Sequence, residues 1–399
     1  MASEQIKYDF STPRYIYGSI DILGEIHRFV LMTELTMDIT RKIEKKFRVP
    51  PRYVDRGVSR HLSELIMRQW GTHIWDRRLE SEIDLSEPFF LPVSDLDLEM
   101  FYSDLTYRIN KGRKTPNDHP ILLPDEFGLR EFFNKCISTM KNRTPDLSSN
   151  VFHLKPVKIG NSTGYRFFLH ESEIDKYFNY SQKYREYISK YLTPFLSILH
   201  SELELLRKRA RVIDLKYVLA GLIRYATLNS GSHQYIVDLE YKERLRQKFG
   251  TNFECFGSMF NRYYDNFCSM FPDIEHNFGS SGNFMALKMK SGYYQANPPY
   301  EEILMQRMYE KVFDILKEPG PIIYTLNIPE RDDYELRKRI ENDKLYLLST
   351  KKEELFHVAL DRTKKVKIPR YDAYVFANSA AITLWGKDKI GELLREISS

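Results

Sequence analysis

Gly292-Tyr293-Tyr294-Gln295-Ala296-Asn297-Pro298-Pro299-Tyr300-Glu301 is the stretch on which the architecture turns. Its first five residues are a short, largely apolar run of strand character, and a helical pattern follows from Glu301 to Lys317. Between them two prolines hold the chain extended, because each fixes its own φ and pushes the preceding residue out of the helical region. The sequence therefore predicts a strand, a rigid turn and a helix, with Asn297 at the strand's carboxyl end. In open α/β sheets that is where ligands bind.

Working outward, short apolar segments separated by turns and helices begin near Asn252. Strands are expected at Phe253–Phe256, Gly292–Ala296, Ile322–Leu326, Leu345–Leu348, Tyr374–Ala377 and Ala381–Trp385. This predicts an α/β fold, a Rossmann-like doubly wound domain over residues 236–399. Upstream, residues 1–235 read as a mainly helical domain. Apolar residues recur at helical spacing over Ser19–Phe47, which Pro50-Pro51 should end, and over Gly57–Trp70, Ser94–Ile109 and Pro124–Met140. Ser172–Tyr191, Pro194–Arg209, Ile213–Leu228 and Ile236–Phe249 follow the same pattern, with Thr193-Pro194 as a helix start. Val151–Ile159 and Tyr165–His170 read as a β-hairpin joined by residues 160–164, and Lys111–Asn117 and Asn142–Ser149 as exposed loops.

The chain of 399 residues is long enough for two domains, and its 42% hydrophobic and 29% charged residues describe a folded protein. No run reaches the length of a membrane span, and Met1–Phe10 lacks the blocks of a signal peptide, so a nuclear or cytoplasmic, non-secreted protein without membrane contact is expected. The three cysteines, Cys136, Cys255 and Cys268, form no Cys-x-x-Cys pair, and no histidine pair at ligand spacing has supporting carboxylates. Neither disulfide nor metal is expected. Net charge is only +5, but Arg207, Lys208, Arg209 and Arg211 form one basic group, and Lys364, Lys365, Lys367 and Arg370 another, suited to a phosphate backbone. Trp70 and Trp75, with apolar neighbours, read as core, and Cys255, with no base beside it, as a buried filler rather than a nucleophile.

Asn297-Pro298-Pro299-Tyr300 has the form Asx-Pro-Pro-aromatic, used by enzymes that methylate the exocyclic amine of adenine or cytosine. Such an amine is a poor nucleophile because its lone pair is delocalised into the ring. The site must orient it and accept its hydrogens as charge develops. The Asn297 amide oxygen and the Pro298 carbonyl are the expected acceptors, and Tyr300 the ring that stacks on the base. Upstream, Phe253-Glu254-Cys255-Phe256-Gly257-Ser258 is a strand opening into a small-residue turn, where a nucleoside cofactor meets a doubly wound sheet, and Phe278-Gly279-Ser280-Ser281-Gly282 is a second turn. Neither matches Gly-x-Gly-x-x-Gly.

The block from Phe253 to Tyr300, with Phe267–Asp273, Phe278–Gly282 and Ser291–Glu302 in order, resembles the cap-specific adenosine N6-methyltransferases of the phosphorylated-CTD-interacting factor type. The resemblance runs from about Arg224 to Trp385. It implies a methyltransferase using S-adenosyl-L-methionine on the adenosine next to the 7-methylguanosine cap of mRNA, preferentially when that adenosine is already 2′-O-methylated. It implies Asn297, Pro298, Pro299 and Tyr300 as catalytic, with Tyr300 replacing the family's Phe. Phe256, Ser258, Asn261, Asp273, Phe278, Gly279 and Ser280 are the candidates for the cofactor side. No paired tryptophans of a WW domain are found in Met1–Lys45, which makes the domain's absence, and doubtful binding of the polymerase tail, the expectation. Ser281 stands where the family carries Arg.

A cap site needs stacked aromatics, a carboxylate for the guanine edge and cations for the triphosphate. Glu330 is the candidate carboxylate, and Arg207, Arg209, Arg211, Arg262 and Arg331 are candidate contacts to capped RNA. The tetrapeptide equally permits a DNA or internal-RNA adenine methyltransferase, and an inactive cap-binding or transcription-interaction module is the remaining alternative.

Overall fold

The computed structural model describes residues 7–47, 51–86, 89–111, 127–142, 151–178, 182–210, 214–228, 236–237, 239–299, 301–329, 335–342, 347–358 and 365–397. Among them the helices of the first half are α1 (Ile22–Phe47), α2 (Pro51–Asp76), α3 (Asp95–Lys111), α4 (Leu129–Lys141), α5 (Glu171–Phe178) and α6 (Gln182–Tyr187). Then come α7 (His200–Arg209), α8 (Leu215–Thr227), α9 (Leu239–Phe249) and α10 (Pro272–Glu275). The last are α11 (Glu302–Leu316), α12 (Glu335–Asn342), α13 (Ser379–Trp385) and α14 (Lys387–Ile397). The strands are β1 (Asp9–Ser11), β2 (Arg14–Ile16), β3 (Glu82–Asp84), β4 (Phe152–Ile159), β5 (Ser162–Leu169), β6 (Ser197–Leu199) and β7 (Ile236–Val237). They continue as β8 (Phe253–Gly257), β9 (Asn266–Ser269), β10 (Lys288–Ala296), β11 (Ile322–Pro329), β12 (Leu347–Val358) and β13 (Lys365–Ala377).

The molecule is a mixed α/β structure around a sheet of order β7-β12-β13-β11-β10-β8-β9, with β1 also on β10. Strands β9, β8, β10 and β11 are parallel, while β13 runs antiparallel between β11 and β12. Central strands β10 and β11 are buried on both faces over Gly292–Ala296 and Ile322–Ile328, which explains their almost unbroken apolar sequence. Alternation sends Tyr294, Ala296, Tyr324 and Leu326 to one face, under α2 and α11. Tyr293, Ile323 and Val375 take the other, under α9 and α14. Gly292 has φ +146°, and a Cβ there would meet the Tyr294 and Tyr8 rings within 2.8 Å, so the strand needs glycine at that point.

The helical part has its own core, in which α1 buries Ile22, Ile26, Val30, Leu35, Ile39 and Ile43 along one stripe. Asp21 starts this helix by accepting a hydrogen bond from Gly24 N at 3.0 Å. The two parts are fused: Trp70, Ile74 and Trp75 of α2 pack under the sheet, and Met259, Phe260 and Phe271 of the sheet's loops pack into the helical core. Both tryptophans are thus core residues, as are all three cysteines. No helix among the described residues is long and apolar enough to cross a membrane.

Several boundaries differ from expectation. Ala381–Trp385, expected as a strand, is helix α13: Asn378 Oδ1 accepts from Ala381 N at 3.0 Å and caps it, while the Asn378 amide donates to the Glu318 and Gly320 carbonyls. Pro194–Arg209 splits into a 3₁₀ turn, strand β6 and helix α7, because Ser197–Leu199 pairs with β5. Pro51 opens α2, a position where the missing N–H costs nothing. The expected hairpin is present with a tighter turn at Gly160-Asn161. Strands β1, β2, β3 and β9 lie where the sequence predicts none, Ile236-Val237 is strand β7 rather than the start of the helix expected over Ile236–Phe249, and the two expected loops fall almost wholly outside the described residues.

Candidate active site

Strand β10 ends at Ala296, and Asn297-Pro298-Pro299 leaves it at the same edge as the ends of β8 and β11. Asn297 and Pro299 are half-buried and Pro298 is buried. Pro299 gives its carbonyl to Glu301 N at 2.9 Å. The Pro299 carbonyl is thus engaged within the turn, whereas the expected acceptor is the carbonyl of Pro298. Tyr300 lies outside the described residues.

Glu301 anchors the turn from behind. Its Oε2 accepts from Leu304 N at 2.7 Å, capping α11, and its Oε1 accepts from Arg68 Nε of α2 at 2.8 Å. Both side chains are buried, Arg68 at 2% and Glu301 at 4% exposure. Burial pushes the Glu301 carboxyl upward against the pull of Arg68. Glu301→Gln keeps a capping oxygen and removes one charge of a buried pair, so we expect a loss of about 3 kcal/mol in stability. Urea unfolding of wild type and variant measures the effect.

The candidates on the loop after β8 are organised mainly among themselves. Ser258 N donates to Asn261 Oδ1 at 2.7 Å, and Ser258 Oγ accepts from Asn261 N at 3.1 Å and Phe260 N at 3.2 Å. Phe256 is half-buried, its ring 5.1 Å from that of Phe284. Arg262, a candidate contact to capped RNA, is only 4% exposed, held under Gly279 and over the Phe267 ring.

Asp273 is likewise committed elsewhere. Its carboxylate takes Arg224 Nη1 at 2.8 Å and Nη2 at 2.7 Å, while Glu25 holds the same guanidinium from α1. This carboxylate, a candidate for the cofactor side, is thus engaged in a buried ion pair. Phe278 is core, Ser280 Oγ bonds Ser269 Oγ at 2.7 Å, and Gly279, at φ +93°, is exposed. Of the cap-side candidates, Glu330, Arg331 and Arg211 lie outside the described residues. Arg207 is exposed and pairs with Glu204 at 2.5 Å, and Arg209 is half-buried at the end of α7. Of the second basic group, Lys364 and the side chains of Lys365, Lys367 and Arg370 are outside as well.

Sequence reasoning missed Gln295 and Asn327, each 0% exposed on a central strand and with both amide atoms unpaired among the described residues. A lone amide inside an apolar strand was the available signal. Each offers one donor set and one acceptor, the complement of a nucleobase edge or of ordered water. It also missed His61, Glu64 and Asp104, whose ligand atoms lie within 4.8 Å of one another. Guanidinium groups already serve that trio, Arg60 to Glu64 at 2.7 Å and Arg68 to Asp104 at 3.7 Å.

Glu275, at the end of α10, is fully buried, accepting from Tyr225 OH at 2.6 Å and from Met259 N. Burial raises its pKa from 4.5 to about 8, with Asp273 adding to the rise and Tyr225, Met259 and Arg262 opposing it. The folded state thus holds this proton more tightly than the unfolded chain. Its contribution is full below the ordinary value of 4.5 and is lost as pH climbs toward 8. Wild type should therefore lose up to ~1.4 kcal/mol per pH unit relative to Glu275→Gln across that window. A wild-type-minus-variant difference in urea stability that is flat between the two pH values would refute this.

Comparison with known proteins extends the reading. Residues 199–354 match the family described as the phosphorylated CTD interacting factor 1 WW domain. This corrects the expected absence of that domain: it was sought as paired tryptophans in residues 1–45, whereas the match lies elsewhere, in a stretch containing none of Trp70, Trp75 and Trp385. The doubt about polymerase-tail binding rested on that absence and is withdrawn with it. A human protein named mRNA (2′-O-methyladenosine-N(6)-)-methyltransferase is 40% identical over 89 residues, 22% of this chain and 13% of the relative. The mouse protein of the same name is 41% identical over 91 residues, with the same shares of the two chains. This chain therefore aligns with about an eighth of the length of those relatives, and it is similar there to proteins named as RNA methyltransferases.

Proposed function

We propose that this chain is an S-adenosyl-L-methionine-dependent RNA methyltransferase that modifies N6 of the adenosine adjacent to a 7-methylguanosine cap. The observation that carries the reading is the Asn297-Pro298-Pro299 turn at the carboxyl end of a central parallel strand, braced by the capped helix behind it. Two further facts support it. The sheet runs β9-β8-β10-β11-β13-β12 with β13 reversed between its neighbours, an order compatible with a Rossmann-like methyltransferase domain over residues 236–399. The relatives at 40% and 41% identity are named as mRNA (2′-O-methyladenosine-N(6)-)-methyltransferases.

In this reading S-adenosyl-L-methionine supplies an electrophilic methyl group, held beside the loop of Phe256, Ser258 and Asn261 and the turn at Gly279. The Asn297 amide oxygen and the Pro298 carbonyl accept the two amine hydrogens, and Tyr300 stacks on the adenine. Each neutral hydrogen bond contributes roughly 1 kcal/mol and a base stack ~1–3 kcal/mol. Fixing the amine in line with the methyl group contributes more, on the order of 7–11 kcal/mol at the upper limit. Positioning therefore outweighs proton abstraction. An adenine at a transcript's start is unpaired, so no cost of flipping it out of a duplex arises. Residues 1–235 form the RNA-binding part, with Arg207 and Arg209 near the phosphates and Glu330 at the guanine edge. Binding of a phosphorylated CTD, named in the matched family's description, belongs to the same proposal.

The test is incubation with labelled S-adenosyl-L-methionine and four short RNAs, capped or uncapped, starting with adenosine or guanosine, followed by nucleoside analysis. Label in N6-methylated adenosine of the capped, adenosine-initiated RNA alone is expected. Equal labelling of uncapped RNA or of DNA would replace the proposed substrate.

A further inference from the structure

Arg262 is a buried cation whose best pair of donors is unused. Its Nη1 donates to the Asp265 carbonyl at 3.1 Å, and its guanidinium carbon lies 4.5 Å from the centre of the Phe267 ring. Its Nε and Nη2 have no partner among the described residues. These two N–H groups form the side-on fork of the guanidinium, the edge that takes both oxygens of one carboxylate or phosphate in parallel. Asp265, Glu275 and Glu254 partly offset its burial, but none of their carboxylates bonds it. Glu254 is taken by Lys242 and by Tyr263 N, Glu275 by Tyr225 and Met259 N, Asp265 contributes its backbone carbonyl, and Arg209 adds a second positive charge. Burial, with Arg209 behind it, draws the Arg262 pKa down to about 10. Among the described residues no carboxylate occupies its Nε–Nη2 edge.

Position indicates which anion. Arg262 closes the loop that follows β8, its N–H bonded to the Ser258 carbonyl at 3.0 Å, and β8 is the parallel neighbour of β10, whose end carries Asn297. Gly279 covers the guanidinium so closely that a Cβ there would stand 3.1 Å from Nη1. At 4% exposure the side chain is too deep for a phosphate carried on a polymer backbone, so the anion that fits it is the terminal group of a small ligand bound at this loop.

We infer that the Nε–Nη2 edge of Arg262 receives the α-carboxylate of the methyl donor, making it a cofactor-orienting residue rather than an RNA contact. The inference rests on the proposed use of S-adenosyl-L-methionine. Calorimetry with S-adenosyl-L-methionine and with its decarboxylated analogue tests it on wild type, Arg262→Met and Arg262→Lys. Wild type should prefer the carboxylated compound by on the order of 10- to 100-fold, the range of hydrogen bonds to a charged group. Arg262→Met should bind both alike, with its fold checked by thermal melting. Should that variant not fold, Arg262→Lys, which keeps the charge but loses the fork, should show a reduced preference. An unchanged preference in the folded variant overturns the inference while leaving the proposed function intact. So does an unchanged preference combined with a capped-RNA salt slope reduced by about one, the mark of a lost phosphate contact. Absence of any binding to wild type removes both.

Discussion

Asn297→Ala should lower the turnover number for methyl transfer by on the order of 100- to 1000-fold or more, the cost of deleting one preorganised polar group at a reacting centre. Affinity for the methyl donor should stay within a few-fold, because the proposed contacts of Asn297 are with the substrate amine. The KM for RNA should change little, since most RNA affinity comes from phosphate contacts remote from the amine. Asn297→Asp separates geometry from chemistry. It retains an acceptor oxygen in an Asx-Pro-Pro turn and should keep measurable activity, and single-turnover assays with labelled donor read both variants. Activity of Asn297→Ala within ten-fold of wild type would remove this residue from the chemistry, and with it the central premise of the proposed function.

Much of the sheet was legible because its central strands are buried on both faces. Such strands need apolar residues at nearly every position, and Phe253–Phe256, Ile322–Leu326 and Tyr374–Ala377 stand out for that reason. The same rule misled at Ala381–Trp385, where a short apolar run without alternation fits strand or helix equally well. Local chemistry, the Asn378 cap, decided between them. At the site, the placement of Asn297 followed from local pattern alone, since prolines act on their immediate neighbours. The partners of the site did not follow, because they come from far along the chain. Glu301 meets Arg68 across 233 residues, and Glu25 meets Arg224 across 199. The sequence offers Arg262 as a contact to capped RNA and, through the family resemblance, Asp273 as a residue of the cofactor side. Each instead took a role set by burial that no spacing rule encodes.

The second large effect concerns stability, at Arg224. This side chain is 3% exposed on α8 and is held by Glu25 of α1, whose carboxylate also meets Arg28 at 3.0 Å, and by Asp273 of α10. Burial alone would lower the guanidinium's pKa, but Asp273 and Glu25 together hold it above its ordinary value, so the charged form is the one that packs. The cluster joins two helices of the helical core to the segment that follows β9. Arg224→Met fits the space but strands Asp273 without a described cation and leaves Glu25 with Arg28 alone. A loss of about 3–5 kcal/mol follows, the cost of removing one partner from a buried ion pair. For a chain of this length unfolding as one cooperative unit, that is a fall in Tm of roughly 4–6 °C. The decisive comparison is with the triple variant Arg224→Met, Glu25→Gln, Asp273→Asn. If the penalty comes from stranded charge, neutralising the carboxylates should recover most of the lost stability; if it comes from lost packing, the triple variant should be at least as unstable as the single one. Methyl-donor affinity, measured by calorimetry on the triple variant, should match that of wild type, as expected of a carboxylate whose partner is Arg224 rather than the cofactor.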